Sequence, residues 1–414
     1  MQIYPRVFLA NRRAKIFFAL SDDKTLEVKI QPMEEYSIKH TPEYKILEEY
    51  RYPYYPLTKE GENLYSLTYD FKGEQRYSVR VKENGKIIFR TDLFAVEEDL
   101  YYLNVYKGDL HLHSTRSDGA HEPFEVAQRY REKGYDFIAL TDHHKFAPSV
   151  ELNKEIAPLT SLFRVFRGEE VHNKDMGYFH TINFNGNYSI NEIIETDDDY
   201  VEGEIQKIIK EIDSPDIFDS RMLAYRIFIA REIRKCGGLA IMAHPFWDVE
   251  GEYHVQTSEV RYLWEKGEFD ALEVFAGCGD TCFYGNNLQL SLWSELRANG
   301  LTIPVVGVSD SHNFDNPLSL FNKSYTLVFS KDFDGVQEAI KSEQSVAVYK
   351  FTDKDFQCAG RYRFVNYARF LITHYFPPYS LLTSAHSRAL ATNKEDIAVA
   401  EKDIVDFQNR FFGR

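Results

Sequence analysis

Two histidines and an aspartate lie close together in the segment GDLHLHSTRSDG, residues 108–119. His111 and His113 are on a stretch typical of a strand, where alternate side chains point to the same face and can bind one metal ion. Asp118 follows five positions after the second histidine and adds a carboxylate. Because a histidine pair with this spacing is often structural, this motif alone is weak evidence for a metal site.

Further histidines and carboxylates follow other apolar, strand-like segments of the chain. Beyond the first motif, they are His143, Glu170, His180, His244, Asp310 and His312. In α/β sheets and barrels, functional sites form at the carboxyl ends of the strands. Ionisable side chains are costly to bury without partners, and divalent ions would satisfy them together. We therefore predict that these segments converge on a site for divalent metal ions.

The elements that must position these residues follow one pattern after Tyr106. Short apolar runs alternate with helical patterns, which is typical of βα units and of a mostly parallel sheet or barrel. Between His180 and His244 lie 63 residues, more than one βα unit needs, so we expect an insertion near 186–235 that forms a lid or a side wall.

The two ends of the chain have sequence patterns that differ from that of the central segment. Residues 1–104 are rich in β-formers, and the segment RYSVRVKENGKIIFRTDLFAV predicts two strands joined by an Asn-Gly hairpin, so we expect a small all-β, sandwich-like domain. We interpret it as a packing or oligomerisation module. The core domain is then 105–354. Residues 355–414 show apolar positions at helical spacing and are predicted to form a helical C-terminal extension.

Taken together, HLHSTRSDG, TDHH, the GEE motif with a histidine ten residues after Glu170, AHP and SDSH resemble a known family. This family is the PHP (polymerase and histidinol phosphatase) superfamily of metal-dependent phosphoesterases, and the resemblance spans about Tyr106 to Lys350. It implies a distorted (β/α)7 barrel, similar to a TIM barrel, with a multinuclear metal site at the carboxyl ends of its strands.

The resemblance also implies a set of metal ligands and a reaction. One ion would be held by His111, His113, Glu170 and Asp310, a second by Glu170, His180 and His244, and a third by Asp118, His143 and His312. Two or three divalent ions (manganese, iron or zinc) are expected. They would support hydrolysis of a small phosphate ester, either a phosphomonoester or a nucleotide-like compound, through a metal-bridging hydroxide.

Two alternatives remain open. Asp118 in SDG is similar to the branch that acts on small phosphate esters and nucleotides, but the lead-in YKGDLHLHS after a β-rich domain is similar to a carbaryl-hydrolase-like branch. The first alternative is thus an aryl ester or carbamate hydrolase. The second is a metal-stabilised binding domain without turnover.

Charge limits the class of substrate and partner. The chain has 49 basic and 64 acidic side chains and a formal charge of -15, which opposes nonspecific binding to nucleic acid or to an anionic membrane. Three divalent ions would outweigh the carboxylates of Asp118, Glu170 and Asp310, so a small phosphorylated substrate would still be attracted locally.

Other residues near the motifs are candidates for substrate contacts. Arg116 could clamp a phosphate through two parallel hydrogen bonds, and the alternative is a solvated loop arginine. Asp310 or His312 could pass a proton to the leaving group. Weaker candidates are His144, Lys145, His172 and His254.

The remaining sequence features concern location and assembly. We expect no signal peptide and find no apolar run near the roughly 20 residues of a membrane-spanning helix. The four cysteines form neither a dense disulfide framework nor a paired zinc motif, so we interpret them as packing residues in a cytoplasmic protein. A homo-oligomer is left open.

Overall fold

The structure is a computed structural model that describes residues 1–20, 25–34, 52–172, 180–213, 219–277 and 282–414. The chain divides into two compact units. Unit 1 comprises Met1–Leu103, Asn366–Leu382 and Glu401–Arg414, and unit 2 comprises Asn104–Val365 and Thr383–Ala400. The domain boundaries at 104 and 354 stay predictions.

The first part of unit 1 is built from short strands. They are β1 (Gln2–Tyr4), β2 (Val7–Leu9), β3 (Arg12–Ala19), β4 (Leu26–Pro32), β5 (Tyr55–Pro56), β6 (Thr58–Gly61), β7 (Leu64–Phe71), β8 (Gln75–Glu83) and β9 (Lys86–Val96), followed by helix α1 (Glu98–Tyr101). One sheet has the order β1-β3-β7-β6 and the other β2-β9-β8-β4-β5. Strands β8 and β9 form the predicted hairpin, whose turn places Asn84 and Gly85 at φ 50° and 77°.

A shared apolar core joins the two sheets of unit 1. Phe18 and Tyr65 come from the first sheet, and Val28 and Val79 come from the second, and all four belong to one buried cluster. Along β8, buried residues alternate with more exposed ones, as the period of two in a strand requires. Two sheets that bury one face each against the other form a sandwich-like arrangement.

Unit 2 alternates strands and helices along most of its length. Its strands are β10 (Asn104–Asp109), β11 (Phe137–Ala139), β12 (Arg164–Phe166), β13 (Gly168–Val171), β14 (Thr181–Phe184), β15 (Leu239–Met242), β16 (Asp248–Val249), β17 (Glu252–Tyr253), β18 (Ala271–Phe275), β19 (Val305–Gly307), β20 (Ser324–Ser330), β21 (Ser345–Lys350) and β22 (Phe356–Gly360). The helices that accompany them are α2 (Pro123–Glu132), α3 (Ala147–Ile156), α4 (Ile190–Thr196), α5 (Asp198–Ile209), α6 (Ser220–Lys235), α7 (Thr257–Glu265), α8 (Cys282–Ala298) and α9 (Val336–Lys341). The chain ends with α10 (Tyr362–His374), α11 (Phe376–Leu390) and α12 (Lys394–Phe412).

Two main sheets form the centre of unit 2. Their orders are β12-β11-β10-β20-β21-β22 and β13-β14-β15-β18-β19, and β16 and β17 form a separate hairpin. Apolar side chains of both sheets, including Phe137, Val328, Ile182 and Val306, meet in one buried cluster. Unit 2 is therefore a mixed α/β structure with its strands in two hydrogen-bonded sheets, and closure into a seven-stranded barrel stays a prediction.

The expectation of mostly parallel strands is wrong for the described part of unit 2. In the two main sheets, β10-β11, β11-β12, β15-β18 and β18-β19 pair in parallel, whereas β10-β20, β13-β14, β14-β15, β20-β21 and β21-β22 are antiparallel. One cause can be read from chain length. Only nine residues separate Val171 from Thr181, fewer than the dozen or so that a parallel crossover needs.

Two predicted segments can be placed more closely. The helices α4, α5 and α6 of the expected insertion bury Ile194, Ile205 and Phe228 in a cluster that also includes Met242 of β15, which is the packing of a side wall. The predicted C-terminal extension is not helical from its start. It begins with β22, which pairs with β21 and extends the six-stranded sheet, because its backbone groups continue the ladder from Lys350↔Phe356 to Val346↔Gly360.

Within the described ranges, no helix is both long enough and apolar enough to span a bilayer.

Candidate metal centre

The structure brings all nine predicted ligands together at one edge of the two sheets. Most lie just beyond a strand: His111 and His113 after β10, His143 after β11, His244 after β15, and Asp310 and His312 after β19. Glu170 lies within β13, His180 directly precedes β14, and Asp118 lies on the loop that follows His113. Their individual roles as ligands stay predictions.

Glu170 is at the centre of this arrangement and is fully buried. Five imidazole nitrogens face its two carboxylate oxygens. Oε2 is 3.2 Å from Nε2 of His111, 3.3 Å from Nε2 of His113 and 2.8 Å from Nδ1 of His143, and Oε1 is 2.6 Å from Nδ1 of His180 and 3.7 Å from Nε2 of His244. A single carboxylate thus faces five histidines from four separate segments of the chain.

Two aspartates add further carboxylates to the centre. Oδ1 of Asp310 is 3.2 Å from Nε2 of His111 and 3.1 Å from Nε2 of His113. Asp118 is 3.5 Å from Nε2 of His143 through Oδ2 and 3.4 Å from Nε2 of His312 through Oδ1. The imidazoles therefore face carboxylates on two sides, one deep at Asp310 and one near the rim at Asp118.

These atoms form compact groups in which all potential donors lie within 4.8 Å of one another. The groups are His113, Asp118, His143 and His312; His111, His113 and Asp310; Glu170, His180 and His244; His111, His244 and Glu273; and His143, Glu170 and His172. Imidazole nitrogen and carboxylate oxygen together suit manganese, iron or zinc. The residues present thus fit divalent metal ions.

Unsatisfied buried atoms support this fit. Nε2 of His111, Nδ1 of His180 and both carboxylate oxygens of Glu170 are buried and have no hydrogen bond, although their separations are short. The close approaches therefore lack hydrogen-bond geometry. Buried polar atoms that lie close together without hydrogen bonds destabilise the folded state, and a cation between them would satisfy them together.

The protonation equilibria reflect the same crowding. Burial opposes the charged form of Glu170, but the charges on His180, His111 and His143 outweigh it and hold its pKa well below the usual value. Burial alone would lower the pKa of His111, yet Asp310, Glu170 and Glu273 raise it. In the absence of ions, a proton on His111 therefore compensates part of the buried negative charge, and metal binding would replace it.

Neighbouring carboxylates also raise the pKa values of the more exposed histidines, His143 and His312. Burial would lower the pKa of His143 and His312, but Glu170 and Asp118 raise that of His143 to about 10, and Asp118 and Asp310 raise that of His312 to about 9. Burial lowers the pKa of His113 to about 4. His113 is thus a neutral imidazole, which is the form that coordinates a metal ion.

Glu273 contacts the centre and was not predicted from the sequence. This fully buried residue of β18 lies with Oε1 2.9 Å from Nδ1 of His111, and its Oε2 accepts a hydrogen bond of 3.0 Å from the backbone N–H of His244. A proton on Nδ1 leaves Nε2 of His111 to face Glu170 and Asp310. The available signal was a glutamate inside the apolar strand ALEVF, where a charge needs a partner.

Asp142 and Asp109 hold the loops that carry the ligands. Asp142 accepts hydrogen bonds from the backbone N–H of Ser114 (2.8 Å) and the hydroxyl of Ser117 (2.7 Å), within the loop between His113 and Asp118. Asp109 accepts from the backbone N–H of Ser309, at 3.1 and 3.2 Å, directly before Asp310. Burial raises the pKa of Asp109 to about 7.

Backbone geometry at the site is unusual. His144, His244 and Asp310 have positive φ values of 57°, 21° and 46°, in a region that residues other than glycine rarely adopt. The N–H of Asp310 donates to the carbonyl of His111 at 2.9 Å, and a bridge joins His143 to Glu170. These backbone contacts between segments hold the strained conformations in place.

The weaker candidates occupy the periphery. Arg116 is about half exposed and lies 3.5 Å from Glu122, and Lys145 donates to the backbone carbonyl of Arg116. The ring of His144 packs 4.5 Å from that of His172, whose Nε2 is 2.7 Å from Nδ1 of His143.

His254 and the cysteines can also be placed. Nε2 of His254 accepts a hydrogen bond from the backbone N–H of His180 at 3.1 Å, so this side chain positions a predicted ligand. Cys236 is buried, as a packing residue should be, and Cys358 is partly exposed; neither is in a disulfide. Cys278 and the side chain of Cys282 lie outside the described residues.

Comparison with protein families assigns the segment that contains the first motifs. Residues 109–218 match the PHP domain family. This segment therefore carries the PHP domain that the motifs predicted.

A curated relative covers more of the chain. It is the DNA polymerase/3'-5' exonuclease PolX of Bacillus subtilis (strain 168), which is 26% identical over 249 residues. The match covers 57% of this chain and 39% of that protein, so the chain spans well under half the length of this relative.

Solved structures give more distant similarities. One is a two-domain protein from Bacteroides vulgatus that contains a predicted PHP-like metal-dependent phosphoesterase, with 18% identity, a TM-score of 0.39, and coverage of 61% of this chain and 66% of that one. Another is an amidohydrolase from Chromobacterium violaceum with bound sulfate and no metal, with 18% identity, a TM-score of 0.35, and coverage of 50% and 88%.

Proposed function

We propose that this protein is a metal-dependent hydrolase that cleaves a small phosphate ester. The observation that carries the proposal is the surroundings of Glu170, where five imidazole nitrogens face a buried carboxylate whose oxygens have no hydrogen bond. Such a cluster is costly without cations and suited to binding them. The match of residues 109–218 to the PHP domain, together with the resemblance of the motifs to a superfamily of metal-dependent phosphoesterases, supports phosphoester chemistry.

The proposed cofactors are two or three divalent ions: manganese, iron or zinc. The first would lie among His111, His113, Glu170 and Asp310, the second among Glu170, His180 and His244, and the third among Asp118, His143 and His312. When bound, such ions lower the pKa of water and neutralise charge on phosphoryl oxygens.

The charges of the chain's own residues support an anionic substrate. Four carboxylates contact the histidines, because Glu273 joins Glu170, Asp310 and Asp118. Two divalent ions would neutralise these four negative charges, and a third would leave the centre positive. A small phosphorylated substrate would then be attracted despite the overall charge of -15.

The proposed reaction adds water to phosphorus and breaks the bond between phosphorus and the leaving-group oxygen, which then takes a proton. Asp310 and His312 are the candidates for passing this proton. The side chain of His312 is 36% exposed, against 10% for Asp310, so His312 is better placed to reach a substrate when only two ions are bound. Its Nδ1 donates to the carbonyl of Asp310 at 3.0 Å, which fixes the direction of the ring.

Arg116 is the proposed phosphate clamp. Its guanidinium is on the loop between His113 and Asp118 and is about half exposed, so it can turn towards a ligand at the rim. The ion pair with Glu122 spans 3.5 Å at the surface, where such pairs contribute at most about 1 kcal/mol. An arriving phosphate, which accepts two parallel hydrogen bonds, can replace this partner.

The test begins with the full chain stripped of metal and then loaded separately with Mn²⁺, Fe²⁺ or Zn²⁺. We expect elemental analysis to give two or three ions per chain, and we expect p-nitrophenyl phosphate to be hydrolysed only by the loaded protein. p-Nitrophenyl acetate is the comparison substrate. Faster turnover of the acetate would replace the phosphoesterase proposal with an ester or carbamate hydrolase, and stoichiometric metal without turnover of either compound would indicate a binding domain.

A further inference from the structure

Trp247 lies beside two histidines of the centre and has no part in the proposed reaction. The centroid of its ring is 5.3 Å from that of His244 and 5.6 Å from that of His180. Its backbone N–H donates to the carbonyl of His244 at 2.9 Å, and its carbonyl accepts from the N–H of His254 at 2.8 Å. Backbone hydrogen bonds thus tie the main chain that carries the indole to His244 and His254.

The burial of Trp247 differs from that of the other two tryptophans. Trp264 and Trp293 are 4% and 9% exposed and belong to the buried cluster that also contains Ile194 and Met242, whereas Trp247 is only partly buried. A partly exposed indole next to metal-binding imidazoles offers flat apolar surface where the rest of a bound substrate must lie. Ligand sites commonly combine a few polar groups with such aromatic walls.

An apolar strip continues from Trp247 towards the surface. Trp247 and Tyr349 both pack against the buried side chain of Leu320. The ring of Tyr349 is 5.0 Å from that of Phe351, which is 50% exposed. One end of this strip is beside the histidines that would hold ions, and the other end is in solvent. This layout suits a ligand with an anionic end and a flat apolar end.

We propose that Trp247 is a specificity-determining residue that selects phosphate esters whose leaving group carries a flat aromatic or heteroaromatic ring. The ring stacks on the indole while the phosphate is held at the metal centre, so the inference rests on the proposed function. Stacking of one base on an aromatic side chain contributes about 5- to 150-fold in affinity, which corresponds to about 1–3 kcal/mol.

The kinetic test uses the Mn²⁺-loaded full chain and three probes: phenyl phosphate, adenosine monophosphate and glycerol 3-phosphate. In Trp247→Ala we expect kcat/KM to fall about tenfold for the ring-bearing probes, mainly through KM, and to change less than twofold for glycerol 3-phosphate. Trp247→Phe should keep most of the preference. Tyr362→Ala, which removes an aromatic side chain that is 74% exposed on α10, is the matched control and should behave like the unaltered protein.

The two ring-bearing probes separate the sources of the ring. Loss confined to adenosine monophosphate would identify a nucleobase, and loss confined to phenyl phosphate would identify a simple aryl group. An equal loss for all three probes, or none for any of them, would overturn the inference while leaving the phosphoesterase proposal intact.

A binding measurement tests, independently of turnover, whether aromatic rings stack on Trp247. Ring-bearing probes should quench the tryptophan fluorescence of the unaltered protein but not that of Trp247→Phe, in which only Trp264 and Trp293 remain. If no phosphate ester is hydrolysed but this difference is seen, the ring site stands and the phosphoesterase proposal fails. Quenching that persists in Trp247→Phe would reject the assignment of Trp247.

Discussion

The two units bury different kinds of side chain. In the described part of unit 1, the buried residues are almost all apolar, and the buried polar ones are Lys29, Ser66 and Gln75. At the candidate metal centre of unit 2, by contrast, the deeper histidines and carboxylates are buried side by side, among them His111, Glu170 and Glu273.

This difference separates two sources of stability. Transfer of apolar surface out of water stabilises the sandwich of unit 1 without any ligand. The centre of unit 2 instead holds charged groups whose desolvation is offset only by partners of opposite charge. We therefore expect the stability of unit 2 to depend on metal ions and that of unit 1 to be independent of them.

The largest expected effect comes from removing a group at the centre. Asp310→Asn and His244→Ala should each reduce hydrolysis by about a thousandfold or more, because each alters a proposed metal ligand. Asp310 faces His111, and His244 faces Glu170. Circular dichroism should stay close to that of the unaltered protein. Turnover of p-nitrophenyl phosphate is the measurement, and unchanged turnover in either variant would defeat the assignment.

A core substitution in unit 1 should lower stability and leave activity unchanged. Phe18 is fully buried, so Phe18→Ala should lower the free energy of unfolding by about 3–5 kcal/mol. Metal content and kcat per folded molecule should not change. The measurement is chemical denaturation with and without Mn²⁺, and a variant that also lost its metal ions would contradict the independence of the two regions.

Glu273→Gln tests how much a carboxylate next to His111 contributes to metal affinity in unit 2. The amide can no longer act as a charged acceptor for Nδ1 of His111, so metal affinity should fall about 10- to 100-fold while the site remains. Isothermal titration with Zn²⁺ measures this change. Glu268→Gln, at a glutamate that pairs with Arg231, is the control and should leave the affinity unaltered.

Some residues of the site lie in recognisable sequence motifs and others do not, and this difference determines how much of the site could be predicted from the sequence. His111 and Asp310 belong to compact motifs at strand ends, so the positions that converge could be identified before the fold was known. Glu273 has no motif around it, and its role depends on β18 lying beside β15, which is a tertiary fact.

The fold was predictable to a similar extent. The Asn-Gly hairpin of unit 1 depends on local turn chemistry, and it was predicted correctly. The antiparallel pairing of β14 with both β13 and β15 was not, because strand direction is decided by contacts between distant segments. Strand β22 was also missed, since its pairing with β21 outweighs a weak local preference.

A pH effect should distinguish the ion-free from the loaded centre. The pKa values of His143 and His312, about 10 and 9, lie above the usual value of about 6.5, so the stability they contribute is fully present below pH 6.5 and is lost as the pH rises through 9 to 10. The melting temperature of the metal-free protein should therefore fall between pH 7 and pH 10.

Two controls accompany this measurement. Loading with Mn²⁺ should make the fall smaller, because a cation then takes the place of the protons. Asp118→Asn should also make it smaller in the metal-free protein, because Asp118 faces both imidazoles. A melting temperature of the metal-free protein that rose over this range would show that the imidazoles are not protonated as proposed.

The smallest effect is expected at the rim. Arg116 is about half exposed and has only a surface ion pair to lose, so Arg116→Ala should leave stability and metal content unchanged. If its guanidinium binds the substrate phosphate equally in the ground state and the transition state, KM for p-nitrophenyl phosphate should rise several-fold while kcat stays the same. Arg129→Ala, on the helix α2 that follows, removes a similarly exposed arginine and is the matched control. An unaltered KM would mean that Arg116 is a solvated surface residue without a role in substrate binding. A fall in kcat would instead mean that Arg116 acts on the transition state.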